Sequence, residues 1–286
     1  MCRIFAAELS SLNTSSQDSS FEVSHLLTSF AKACESDAWN APDGSKQEDG
    51  WGMYATLSDK LGTLRHLYHL AEELNSDQTE SKFEFGFDGD AWRILYVSIN
   101  AIWEETEAEV LASKLPRVKQ VMVHARAALN GTSLSNNQPY LSDDTVFAAN
   151  TSLTPKQRGA WSGIKDDYPE FRALSHQIGT MRLSNLLQLI RNRKNLKLHP
   201  LLELNNKISE KFNVSGMNVV TLTDTGISAL CGTHVPFEQD LKTAGYYTLC
   251  QGRNVKIRDQ RFNIIASAPF AGMSLKAMKP GEVVYF

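Results

Sequence analysis

Strand-like segments crowd both ends of this 286-residue chain, and its helical periodicities lie between them. Residues 4–8 and 51–56 read as short apolar strands, and 118–127 and 145–150 as buried ones. Phe21, Val23, Leu26, Leu27, Phe30, Ala31 and Cys34 repeat with a helical period, so a helix is predicted over 21–34. Residues 88–113 hold an apolar patch and then an acidic, Ala-rich helix that must stop before Pro116. Further helices are predicted around 168–192 and 199–212, and strands at 218–223, 227–231, 245–249, 262–267 and 282–286. Polar, turn-rich residues at 9–20 and 41–50 read as loops. Strands, then helices, then strands favour α+β layering over alternating β-α-β units. No repeat, low-complexity run or linker interrupts the chain, so a single domain over 1–286 is expected.

Charge and cysteine usage narrow the function. A net charge of -3 and 21% charged residues argue against a nucleic-acid or anionic-membrane surface. The densest basic run, Arg191-Asn-Arg-Lys-Asn-Leu-Lys197, ends a predicted helix, where cations suit the dipole. Cys2, Cys34, Cys231 and Cys250 lie far apart without a CxxC pair, so no metal, cofactor or disulfide framework is expected. No apolar run approaches the ~20 residues needed to span a bilayer, and no signal peptide is visible. A reducing, cytoplasmic setting is expected, which makes the Asn13, Asn130 and Asn213 glycosylation patterns chance matches.

Cys2 directly follows Met1. Methionine aminopeptidases remove Met1 before a small side chain, which would leave thiol and free α-amine on one residue. The thiolate is the nucleophile, and an amine titrating near pH ~8 can take and return its proton. A buried, inert thiol is the plain alternative. Behind Cys2 come Asp49-Gly50-Trp51-Gly52 at the start of a predicted strand, Val123-His124-Ala125-Arg126-Ala127-Ala128 at the end of another, Asn137-Gln138-Pro139-Tyr140 shortly after it, and Phe147-Ala148-Ala149-Asn150 closing the next. Thr223-Asp224, Ala266-Ser267-Ala268-Pro269 and Pro280-Gly281-Glu282 complete the order.

In this order the motifs resemble the class II glutamine amidotransferase domain in its stand-alone form, over essentially the whole chain. Relatives show Met-Cys-Arg, Asp-Gly-Trp-Gly, His-x-Arg-x-Ala-Thr, Asn-x-x-Pro-Phe and His-Asn-Gly, and small γ-glutamyl amide hydrolases are nearest in layout. The resemblance implies an N-terminal-nucleophile hydrolase fold: a four-layer αββα sandwich of two mostly antiparallel sheets. It implies attack by Cys2 on a γ-glutamyl-type amide, a thioester, and hydrolysis by water. Asn150 and the Thr151 N–H take the places of the oxyanion donors. Arg126, with Asn130 nearby, takes the substrate-binding place and grips a carboxylate through a two-toothed contact. Asp49, Gly50, Trp51 and Gly52 support the nucleophile's backbone, and His124 is read as a packed neighbour. The partner implied is a small-molecule amide; a homodimer or a partner protein stays open.

Three departures matter. His-Asn-Gly reads Ala149-Asn150-Thr151, and the lost Gly removes conformational freedom. The family Thr is Leu129. The family Asp-Ser-Glu, whose Asp binds the substrate ammonium, corresponds to 179–185, where Arg182 replaces any carboxylate. Two alternatives therefore remain: a degenerate relative that binds a small molecule or partner without turnover, and an amidohydrolase of the choloylglycine and penicillin-acylase kind. Asp224-Thr225-Gly226 is read as a hairpin turn rather than a catalytic triplet.

Overall fold

The computed structural model describes residues 2–10, 21–35, 49–58, 63–74, 80–127, 133–171, 179–193, 196–232, 248–270 and 272–286. Its contacts divide into two compact units, Met1–Pro139 with Cys250–Lys276 and Tyr140–Leu249 with Ala277–Phe286. The class is α+β, as expected, with one antiparallel sheet of eight strands and another of five.

The first unit contains β1 (Arg3–Leu9), α1 (Ser24–Glu35), β2 (Trp51–Ser58), α2 (Thr63–Leu74), β3 (Ser81–Phe87), β4 (Ala91–Ser98), α3 (Thr106–Lys114) and β5 (Val118–Ala125). Beyond the second unit's main segment, β10 (Cys250–Ile257), β11 (Gln260–Ala266) and the short β12 (Lys276–Ala277) join the same sheet. The strand order is β12-β10-β11-β1-β5-β2-β4-β3, so β1 is an interior strand between β11 and β5. Its side chains alternate across the sheet. Phe5 and Ala7 enter a core shared with Met53, Val123 and the apolar faces of α1, α2 and α3. Phe5 packs at 4.9 Å from Phe30 and 5.1 Å from Phe270, ring centre to ring centre.

The second unit contains β6 (Tyr140–Ser142), β7 (Thr145–Pro155), α4 (Gly179–Arg191), α5 (Pro200–Lys211), β8 (Phe212–Thr223), β9 (Gly226–Cys231) and β13 (Glu282–Tyr285), with strand order β13-β9-β8-β7-β6. Leu183, Leu187, Leu204 and Ile208 of its helices pack on Phe147, Ala149, Met217 and Val219 of its sheet. Asp224 and Thr225 turn the hairpin between β8 and β9, closed by the Thr223↔Gly226 pair, with Gly226 at φ 129°. That is the turn expected, at a φ suited to Gly.

Several boundaries differ from expectation for local reasons. Phe21 and Val118 exchange two 2.7 Å backbone hydrogen bonds, so Phe21 is extended and α1 starts at Ser24. β7 does not end at Asn150 but runs to Pro155, because the long β8 pairs with it throughout. The added residues, Thr-Ser-Leu-Thr-Pro, are partly or fully exposed and hold a lone Leu153 among polar neighbours, so they carry no apolar run to read. Thr248 and Leu249 precede β10 rather than closing a strand, and residues 168–171 are turns. The elements α2, β3, β6, β10 and β12 carried no expectation from the sequence.

Phe5→Ala deletes the ring at the centre of the Phe30–Phe270 contact. It is expected to cost about 3–5 kcal/mol of stability, measured as a lower denaturation midpoint; a loss within ~0.5 kcal/mol, as at ordinary surface positions, would contradict this packing.

Candidate functional site

β1 sets the position of Cys2. The pairs Arg3↔Ala125 and Trp51↔Ala125 put β5 between β1 and β2. One residue further along these three strands stand Cys2, Arg126 and Gly50. Past the formal strand end the β2–β5 ladder is bulged: Arg126 N–H donates to the Gly50 carbonyl (2.8 Å), but the Arg126 carbonyl accepts from Asp49 N–H (3.1 Å), so Asp49 and Gly50 both oppose Arg126. Ser267 ties down the start of β1, since Ile4 N–H donates to its Oγ at 3.0 Å. Directly cross-strand residues share a face. Arg126, His124, Gly50 and Gly52 therefore lie on the face opposite the packed core.

Cys2 is half-buried. Burial pushes its thiol above the ordinary range; the Ala127 backbone N–H and the Arg126 charge oppose that rise, and Asp49 reinforces it. Arg126 is thus both a carboxylate-binding candidate and a local cation that favours the thiolate. His124 is wholly buried in the sheet between Ile4 and Gly52. Asn130 lies outside the described residues.

The Asp49-Gly50-Trp51-Gly52 segment is closely built. Gly50 has φ 111°, and a side chain there would collide with Asn137 Nδ2 and the Ser98 carbonyl. A side chain at Gly52 would strike the Gln138 carbonyl. Asn137 donates from Nδ2 to that Ser98 carbonyl and accepts from Arg126 Nη1 at 3.2 Å. The indole N–H of Trp51 donates to Glu105, which also accepts from the Ser98 hydroxyl. Asn137 lies in a motif that assigned it no role, and nothing in the local pattern marks Ser98 or Glu105. One signal was available: a core Trp needs an acceptor for its N–H.

In the second unit Asn150 sits mid-strand in β7, 1% exposed, directly opposite Asn218 of β8, which in turn faces Cys231 of β9. Their neighbours Ala149, Met217 and Leu230 point into the core, so this buried row occupies the opposite face. No motif marks Asn218 in the sequence. The hydrogen-bond phase is informative. Gly232 N–H donates to Met217 O, so Met217 directs its backbone toward β9 and Asn218 toward β7. Asn150 then bonds with Asn218, and the Thr151 N–H points away from β8. A strand Thr thereby keeps a donor outside this ladder without the glycine of the family motif.

The first turn of α4 carries no acid, and the Arg182 guanidinium lies 5.5 Å from the Trp161 ring centre, a cation–π distance. Among the described residues no group of three or more His, Cys, Asp or Glu could hold a metal ion, and no helix is long and apolar enough to cross a membrane.

Neither a protein-family model nor a curated protein matches the chain. Solved structures do, 42 chains of them. The glutamine phosphoribosylpyrophosphate (PRPP) amidotransferase from B. subtilis, complexed with ADP and GMP, is similar with a TM-score of 0.52 and 14% identity, over 99% of this chain and 47% of that one. The present chain therefore spans about half the length of that amidotransferase. A predicted glutamine amidotransferase from Pseudomonas aeruginosa PA01 aligns at 13% identity and a TM-score of 0.41, over 99% of this chain and 92% of that one. At such identities the likeness is one of fold. The fold is shared with that PRPP amidotransferase, as the resemblance of the sequence motifs implied.

Burial raises the Glu105 carboxyl above its usual range, and donation from Ser98 and Trp51 only partly offsets this. A raised native value means the folded chain binds the proton more tightly than the unfolded one. Its contribution to stability is complete below the ordinary carboxylate range, about pH 4.3, and is lost as pH rises through the native value. Denaturant titrations across pH are expected to show wild type losing stability relative to Glu105→Gln as pH rises from there. Parallel profiles would refute the assignment.

Proposed function

We propose that this chain is a glutamine amidotransferase-type amidohydrolase whose nucleophile is Cys2, exposed as the N-terminal residue by removal of Met1. The observation that carries the reading is the alignment of Cys2, Arg126 and Gly50 at the ends of three adjacent strands, within a fold shared with a glutamine amidotransferase. The thiolate attacks the carboxamide carbon of a carboxylate-bearing, γ-glutamyl-type amide. The α-amine accepts the thiol proton and returns it to the leaving amine, and water hydrolyses the resulting thioester. Asn150 and the Thr151 N–H are assigned to the oxyanion, where loss of one donor costs about 2.7–4 kcal/mol. Arg126 is assigned to the substrate carboxylate.

The substrate need not carry an ammonium group. The first turn of α4 supplies a cation, Arg182, rather than an acid, and an ammonium would meet repulsion there. Arg182 is also engaged with Trp161, which holds it in the first turn. A reducing cytosol suits the reading, since it keeps Cys2 as a thiol. A non-catalytic binding role is the second reading, favoured by the changed Ala149-Asn150-Thr151 motif.

Intact mass spectrometry is expected to find Cys2 as the first residue and one covalent adduct from a glutamine-mimicking chloroketone, absent in Cys2→Ala. Glutaryl-p-nitroanilide, which lacks the ammonium, is expected to be hydrolysed at least as well as γ-glutamyl-p-nitroanilide. A retained Met1, or no adduct and no hydrolysis of either anilide, would sink the amidase and favour the binding role. Asn150→Ala is expected to lower kcat by about 10²–10³ with Cys2 labelling preserved.

A further inference from the structure

Glu105 is 7% exposed and takes part in no ion pair among the described residues, yet both of its oxygens are used. Oε2 accepts from the Trp51 indole and Oε1 from the Ser98 hydroxyl. A carboxyl placed this way costs desolvation, so hydrophobic packing alone does not account for it. Oε1 also accepts from Asn100 Nδ2 at 3.5 Å, while the Trp51 and Ser98 partners both lead to Arg126.

The first path runs through Ser98. Its carbonyl accepts from Asn137 Nδ2, and Asn137 Oδ1 accepts from Arg126 Nη1. Asn137 is itself held by its backbone, whose N–H donates to Leu134 O at 3.2 Å. The second path runs through Trp51, which is covalently joined to Gly50, and the Gly50 carbonyl accepts the Arg126 backbone N–H. The paths close into a ring: Glu105, Ser98, Asn137, Arg126, Gly50, Trp51 and back to Glu105. Gly50 lies directly under the Asn137–Ser98 bond, with no room for a side chain. One path fixes the guanidinium and the other fixes the backbone that carries it.

We infer that Glu105 is a positioning residue for Arg126, holding the guanidinium in the orientation that receives a substrate carboxylate. The inference rests on the proposed role of Arg126 and extends it to a buried carboxyl on the connection before α3. An acceptor is required toward the Trp51 indole, and either a donor or an acceptor toward the Ser98 hydroxyl. Gln meets that need: its carbonyl accepts from Trp51, while its amide donates to the Ser98 hydroxyl, which is donor and acceptor alike. Met has similar length and no such acceptor, so it strands the Trp51 N–H.

The test uses the full chain with glutaryl-p-nitroanilide. Glu105→Met is expected to raise KM about tenfold with kcat within about twofold, the signature of lost substrate binding; Glu105→Gln is expected to restore wild-type KM. Asn137→Ala cuts the ring on its other side, and adding Glu105→Met to it is expected to raise KM little further, because residues of one network are not additive. Amide hydrogen exchange supplies a readout without turnover. In Glu105→Met the Arg126 amide is expected to exchange about tenfold faster while the Ala6 amide, in the same sheet, is unchanged. If Gln is as damaging as Met, if the effects of Glu105→Met and Asn137→Ala add, or if both amides exchange faster together, the positioning role is overturned. If wild type hydrolyses neither anilide, the amidase reading fails, and the selective or uniform exchange of Arg126 decides the positioning role alone.

Discussion

The insertion of β1 between β5 and β11 is the constraint on which the candidate nucleophile depends. A chain start ordinarily frays, because nothing on one side of it restrains the backbone. Here Cys2 stands one residue before an interior strand that pairs with β5 from Arg3 and with β11 from Phe5, with the Ile4 N–H held by Ser267 and the Phe5 ring locked among aromatic neighbours. Burial of alternate β1 side chains supplies the energy, and the ladder supplies the register. A shift of one residue would turn Phe5 out of the core and Cys2 to the other face. Register and the placement of Cys2 are therefore one property.

Around Arg126 the same economy recurs with polar groups. Interior carboxyls and amides are tolerated when each finds a partner. Glu105, Ser98 and Asn137 supply those partners for one another and for the Asp49-Gly50-Trp51-Gly52 segment. Gly50 serves this arrangement twice, through its positive φ and through the space its missing side chain leaves. The raised Glu105 carboxyl reflects the desolvation that such a site entails.

Much of the fold was legible in local pattern. The helical period of Leu26, Leu27, Phe30 and Cys34 marks the buried face of α1, and the apolar runs of β2, β5 and β9 mark their strands. The extension of β7 past Asn150 was not legible, because its residues are held by pairing with β8 rather than by burial of an apolar face. The extended Phe21 likewise follows from two hydrogen bonds to a residue nearly a hundred positions away, which no local period can encode.

By itself the sequence determined the order of the motifs, the α+β class, the lack of an acid in the first turn of α4, and the presence of Cys2, Arg126 and Asn150. These are properties of residue identity and short-range spacing. Only the tertiary structure decided that Cys2, Arg126 and Gly50 end adjacent strands, that Asn150 lies within a strand beside Asn218, and that Glu105 closes a ring of hydrogen bonds through Arg126. The physical reason is common to all three. Strand register and polar partners are chosen by residues far apart in the chain, and the energy that selects them appears only when sheet and core form together.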